Sequence, residues 1–275
     1  MRKLLILVIT LIMLGAATPI AAQSDAQTHY LLARPLPATA NIRPDFGFPY
    51  GWHRNHQSPI HHGMDYLNPR GTPVLAAGAG TVFYAGSDTD FVVGPQPNFY
   101  GNVIIIQHDF ASPEGGAVFT LYGHLSSIGV AQGQRVDQGA VIGKVGATGI
   151  AIGSHLHFEV RVGDPANYGA VRNPELWYPP AAGKGKVIGR LLDVNGNPAM
   201  GIRVVFSTAA TVQPTFTYAE ASMPSDPMYG ENFVMGDLSP GCYRVRVRGG
   251  AGYVYDESVC VKAGQTVLLE AHMNG

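Results

Sequence analysis

The stretch His155-Leu-His-Phe-Glu-Val-Arg-Val162 is rich in β-branched and aromatic residues and reads as a strand. Side chains two positions apart on a strand point to the same face, so His155 and His157 look into the same space. The same reading extends outward. Runs at 72–77, 80–85, 102–108, 118–122 and 140–145 are short, β-branched and separated by glycine turns. No stretch carries a sustained helical period. Residues 41–180 therefore read as an antiparallel β domain, and the chain as all-β. Its 35 glycines, 20 prolines and 13% charged residues fit many short strands joined by tight turns, not a helical bundle.

Pro179-Pro-Ala-Ala-Gly-Lys-Gly185 interrupts this pattern, so a linker is expected over 181–186. Strand patterns resume at 187–192, 201–207, 232–234, 242–247, 253–261 and 266–272, with turns at Asp193-Val-Asn-Gly196 and Ser239-Pro-Gly241. Residues 187–275 thus read as a smaller, immunoglobulin-like or prealbumin-like β-sandwich. The chain's 2 cysteines flank a hairpin pattern there. Pairing its arms about Ala251 sets Cys242 opposite Cys260, and outside the cytoplasm that pair is expected to form a disulfide.

Arg2-Lys3, an apolar run from Leu4 to Met13, and small residues ending at Ala21-Ala22 read as a secretory leader over 1–22. The apolar run is short for a membrane span. Residues 23–40 show no sustained periodicity and are expected to be a linker. A net charge of −1 over 275 residues gives no basis for nucleic-acid capture. The expectation is a secreted, extracytoplasmic monomer in the cell wall or periplasm, with no stable membrane span after leader removal.

Two motifs carry the chemistry: His61-His-Gly-Met-Asp65 and His155-Leu-His157. Two imidazoles and one carboxylate are the usual ligands of a catalytic zinc, whose open fourth position takes water. A spare histidine can then act on that water. Gly63, between His61 and Asp65, permits a sharp or strained backbone path. His124 lies just past a strand in Leu121-Tyr-Gly-His-Leu125. His62 reads as a bystander, His53 and His56 as cleft or surface residues, and His108 as a turn residue. Tyr84, Phe99, Tyr100, Tyr122 and Trp52 read equally as groove walls or as core.

Taken in order, these motifs resemble the lysostaphin/LytM-type zinc endopeptidases that cut peptidoglycan peptides. The resemblance runs from about Phe46 to Trp177. It includes His61-x-Gly-x-Asp65, Gly71-Thr-Pro-Val-x-Ala-Ala77, Tyr100-Gly-Asn102, Leu121-Tyr-Gly-His-Leu125, Gly133-x-x-Val136-x-x-Gly139, Gly146-x-Thr-Gly149 and His155-Leu-His-Phe-Glu159. It implies an antiparallel β-sheet with a substrate groove, one Zn2+ held by His61, Asp65 and His157, and His124 and His155 as the catalytic pair. It also implies a peptidoglycan peptide substrate. Residues 189–198, 201–205 and 238–245 more loosely resemble carboxypeptidase-regulatory-like sandwich modules. Two other readings stay open at this level: a wall-binding protein with a dead metal site, and a zinc peptidase acting on another extracellular protein.

Overall fold

The structure is a computed structural model describing the backbone of residues 23–25 and all of residues 28–274. The leader expected over 1–22 lies outside the described residues. Strands dominate, with a single short 3-10 turn at Pro174–Leu176 among the described residues. No helix there is long and apolar enough to cross a membrane.

The central sheet of the first unit holds β4 (Gly80–Ser87), β5 (Asn102–Ala111), β6 (Ala117–Gly123), β8 (Arg135–Val136), β10 (His155–Val162) and β11 (Val171–Arg172), in the order β11-β10-β6-β5-β4-β8. β2 (Met64–Leu67) pairs with the first half of β10, antiparallel. A smaller sheet joins β3 (Pro73–Leu75), β9 (Val141–Lys144) and β7 (Ser127–Ile128). The continuous apolar run Val103–Ile106 has a simple cause: this sheet has a core on each side. Ile104 and Ile106 enter the main cluster with Leu156, Phe158 and Trp177, while Val103 and Ile105 enter a second with Phe119 and Leu121. A strand buried on both faces has no solvated side to alternate toward.

The C-terminal unit is a sandwich. One sheet orders β1 (Gln23–Asp25), β18 (Thr266–His272), β12 (Gly185–Leu192) and β15 (Phe233–Leu238); the other orders β14 (Val212–Phe216), β13 (Arg203–Ser207), β16 (Gly241–Arg248) and β17 (Tyr253–Val261). Val187, Phe206, Phe233, Tyr243, Val245 and Val259 fill its interior. Cys242 faces Cys260 across β16–β17 and the two form a disulfide, in the register that pairing about Ala251 predicts. The sheet is not wholly antiparallel, since β12 and β18 run parallel.

Two expectations about connections change. Within the stretch 23–40, Gln23–Asp25 adds an edge strand to β18, and Leu32 and Leu36 are buried in the main core. The stretch 181–186 ends in β12, where Lys186 is fully buried and its Nζ donates to the carbonyl oxygens of Tyr178 (2.7 Å) and Glu175. Burial favours the neutral form of that amine, opposed by the buried Glu175 carboxyl beside it. Ile188, Tyr218, Met223 and Val234 of the second unit belong to the first unit's core cluster. Apolar contact on that scale fixes one unit against the other and leaves little of a hinge.

Candidate metal centre

β10 sits between β6 on one side and β2 then β11 on the other. Leu156, Phe158 and Val160 point into the core, which turns His155, His157, Glu159 and Arg161 to the opposite face. In the antiparallel register His157 stands opposite Asp65 of β2 and Gly123 of β6. Met64 and Tyr66 are fully buried, so Asp65 between them projects to the face that carries His157. β2 is not among the strands read from the sequence. It is short and breaks off at Asn68-Pro69, and its pairing with β10 is what gives it strand form.

His61 arrives from the loop before β2. Its Nε2 lies 3.1 Å from Asp65 Oδ1 and 3.2 Å from His157 Nδ1, and the last two atoms are 2.9 Å apart. His61, Asp65 and His157 are the group of ligand-type side chains that converge among the described residues. Gly63 makes the convergence possible by a route other than strain. A Cβ there would lie 2.4 Å from Phe158 O and 2.8 Å from His157 Nε2, so only glycine lets the loop lie against β10.

The donor chemistry fits a cation. His61 donates its Nδ1–H to Phe48 O at 2.7 Å, and His157 places Nε2 3.0 Å from Glu159 Oε1. With a cation bound, each ring would take the tautomer whose other nitrogen turns a lone pair toward Asp65. Two ring nitrogens and a carboxylate oxygen this close need positive charge among them, a proton on His157 or a cation in its place. Burial pulls the His157 imidazole down, yet its hydrogen bonds to Asp65 and Glu159 push it up to about 9. Burial likewise disfavours the Asp65 carboxylate, but His61 and His157 hold it well below the ordinary range. A His-His-carboxylate set at one point suits a single zinc with an open position.

His124 and His155 stand on the same side, with ring centroids 4.6 Å apart. His124 donates Nδ1–H to Thr148 O (2.8 Å) and His155 donates Nδ1–H to Gly153 O (3.1 Å), leaving both Nε2 atoms free to accept. His155 Nε2 is 3.6 Å from Asp65 Oδ1. His124 takes a left-handed backbone, φ 60°, stabilised by Nδ1 and by its own N–H to Tyr100 O. Non-glycine residues in that region cluster at functional sites. Burial, reinforced by His157 and His155, pushes the His124 imidazole down to about 3. Burial also lowers His155, against the pull of Asp65. Both are therefore neutral near pH 7.

The other histidines and aromatics singled out in the sequence disperse. His62 turns away and bonds Tyr168 O. His53 and His56 pair with each other, ring centroids 3.9 Å apart. His108 is not a turn residue: it lies within β5, buried, between Ala79 O and Thr120 Oγ1. Tyr122 is core, its hydroxyl accepting from Ala77 N, and Trp52 is buried against Phe216. Three residues of interest have no role in the sequence reading. Glu159 is fully buried, accepts from Tyr100 and Arg161, and orients His157; its place two positions beyond His157 is the available clue. Ile150 and Ile152 stand 55% and 92% exposed on the loop joining Thr148 to Gly153, whose carbonyls hold the two histidines. That is an apolar rim beside the site.

The family model described as Peptidase family M23 matches residues 59–171. The DD-carboxypeptidase/endopeptidase Mpg of Neisseria meningitidis serogroup B is 38% identical over 130 residues, 46% of this chain and 26% of that protein. The peptidoglycan DD-endopeptidase ShyA of Vibrio cholerae is 40% identical over 108 residues, 39% of this chain and 22% of that protein. The chain thus spans only about a quarter of these relatives' length. Among solved structures, the catalytic domain of the prophage-encoded M23 protein EnpA from Enterococcus faecalis, a point mutant, is 26% identical, covering 52% of this chain and 95% of that one with a TM-score of 0.41. All five residues of the site fall inside the matched stretch, and by that stretch the chain carries a domain of peptidase family M23.

Proposed function

We propose that this chain is an extracytoplasmic zinc endopeptidase that hydrolyses peptide bonds in peptidoglycan stems or cross-links. The observation that carries the reading is geometric. Three donors of the right chemistry meet at one point, and two neutral imidazoles present free Nε2 atoms on the same side. Relatives named as DD-endopeptidases supply the substrate class. Residues 41–180 form the catalytic unit in this reading, and 187–275 an accessory module. The leader-like residues 1–22 and the Cys242–Cys260 disulfide support an oxidising compartment outside the cytoplasm. Nothing in the composition recommends a nucleic-acid partner, and the proposed state is a monomer.

In this mechanism His61, Asp65 and His157 would hold the ion, and Glu159 would fix the tautomer and orientation of His157. Bound zinc supplies Lewis acidity, which lowers the pKa of water and polarises a carbonyl. His155 or His124 accepts the proton of the attacking water at Nε2. The resulting imidazolium donates toward the developing oxyanion, then returns the proton to the leaving amine. Gly153 O and Thr148 O hold the rings in place throughout.

The test is digestion of isolated peptidoglycan by the purified zinc-loaded chain, with released ends identified by mass spectrometry. New peptide termini that vanish with o-phenanthroline and in His155→Ala establish the activity and name the bond. A chain that holds one zinc and cuts nothing points to a wall-binding role.

A further inference from the structure

Asp65 and His157 are fixed by strand pairing, whereas His61 sits on a loop and has no sheet ladder of its own. Its support comes from residues 48–52. His61 N–H donates to Trp52 O (2.9 Å), and Gly51 N–H donates to His61 O (2.8 Å). Phe48 stacks on the His61 ring, 4.2 Å between centroids and 6° from parallel, and its carbonyl takes the Nδ1 proton. The Arg54 guanidinium lies over the Phe48 ring in turn, 4.2 Å from its centroid.

That supporting loop is in turn held by the C-terminal unit. Ala219 N–H donates to Gly51 O at 2.7 Å. Phe216, the last residue of β14, stacks on Trp52 at 4.1 Å and 12°. Tyr218 meets Tyr50 edge-on at 5.1 Å and packs so close to Gly51 that a Cβ there would lie 2.6 Å from its ring. Tyr218 is itself anchored, its hydroxyl donating to the buried Glu231. Backbone bonds therefore run unbroken from Ala219 through Gly51 to His61. A further sign of outside constraint lies next along the chain. Arg54, Asn55 and His56 all take positive φ, at 50°, 56° and 62°. Consecutive left-handed residues are costly and persist where surroundings over-determine them.

We infer that Phe216 and Tyr218, through Trp52 and Gly51, are positioning residues for the proposed metal ligand His61, so that the C-terminal unit holds one of the three proposed zinc ligands in place. This rests on the zinc reading above. The accessory unit is then part of the catalytic apparatus and not a spacer. A ligand displaced by a fraction of an ångström binds its metal less well, and loss of supporting contacts around metal ligands typically weakens affinity about 10–100-fold.

The test uses the full chain and measures the zinc dissociation constant by chelator competition, with thermal unfolding alongside. Phe216→Ala and Trp52→Ala should each weaken zinc binding by about tenfold or more. Phe216→Tyr, which keeps the stacked ring, should hold zinc as the parent does. Phe206→Ala is the control. It opens the C-terminal core away from the loop, so it should lower the unfolding temperature and leave zinc affinity unchanged. The inference is overturned if Phe216→Ala and Trp52→Ala hold zinc as tightly as the parent, or if Phe206→Ala loosens it equally. Failure of the parent chain itself to hold zinc would overturn the metal reading and this inference together, an outcome distinct from the other two.

Discussion

β10 and β16 carry the same binary pattern and meet opposite fates. His155-Leu-His-Phe-Glu-Val-Arg-Val162 and Gly241-Cys-Tyr-Arg-Val-Arg-Val-Arg248 both alternate polar with apolar residues. In β16 the polar side faces outward: Arg248 is exposed, and Arg244 and Arg246 share Asp256 at the surface. In β10 the polar side is as deeply buried as the apolar one. Arg161 and Glu159 are fully buried, and Arg161 bonds Glu159 Oε2 (2.7 Å), Pro165 O (2.7 Å) and Val93 O (2.9 Å). The lesson is that period-two alternation assigns faces, not solvent. A polar face that the fold covers must satisfy every donor and acceptor internally, and it does so here by building a site.

The largest expected effect breaks the buried face at its centre. His157→Ala should lose stoichiometric zinc, read by metal analysis after dialysis, and with it all peptidoglycan cleavage. Next comes Arg161→Met, which strands the Glu159 carboxylate in the interior. Removing one partner of a buried pair costs about 3–5 kcal/mol, read by urea unfolding. Arg248→Ala on β16 should leave the unfolding midpoint where it was, and an equal loss there would erase the contrast. On the same β16 face, replacing Cys242 and Cys260 together by alanine should cost about 3 kcal/mol, because the bridge closes a loop of sequence separation 18.

The last effect concerns pH. Burial pushes the His108 imidazole in β5 down to about 4, against the bond to Ala79 O. Its folded-state value lies below the unfolded one, so its contribution is complete above about pH 6.5 and is lost as pH falls toward 4. That window is worth about 3 kcal/mol at most. Urea unfolding at about pH 7 and about pH 4.5, with chelator present, should show a smaller acid loss in His108→Gln than in the parent.

Much of the site is legible in the sequence. The β-class, most long strands and the Cys242–Cys260 pairing follow from local periodicity, turn residues and hairpin register, whereas the five-residue set, His124 above all, came from the family resemblance of the ordered motifs. What escapes is long-range. β2 exists because β10 pairs with it. Gly63 is required by the closeness of Phe158 O rather than by its own dihedrals. His108 reads as a turn residue because His-Asp follows an isoleucine run, yet β5 continues to Ala111.

By itself, then, the sequence determined which side chains share a face and which ligand types are on offer, since both follow from the fixed geometry of a strand and the chemistry of each residue. Tertiary structure alone decided that the polar face of β10 is buried, that the proline-rich stretch after Trp177 leads straight into a shared core, and that the loop supporting His61 leans on Tyr218 of the C-terminal unit. Those outcomes depend on which surfaces meet, and contacts between residues so distant along the chain leave no period to read.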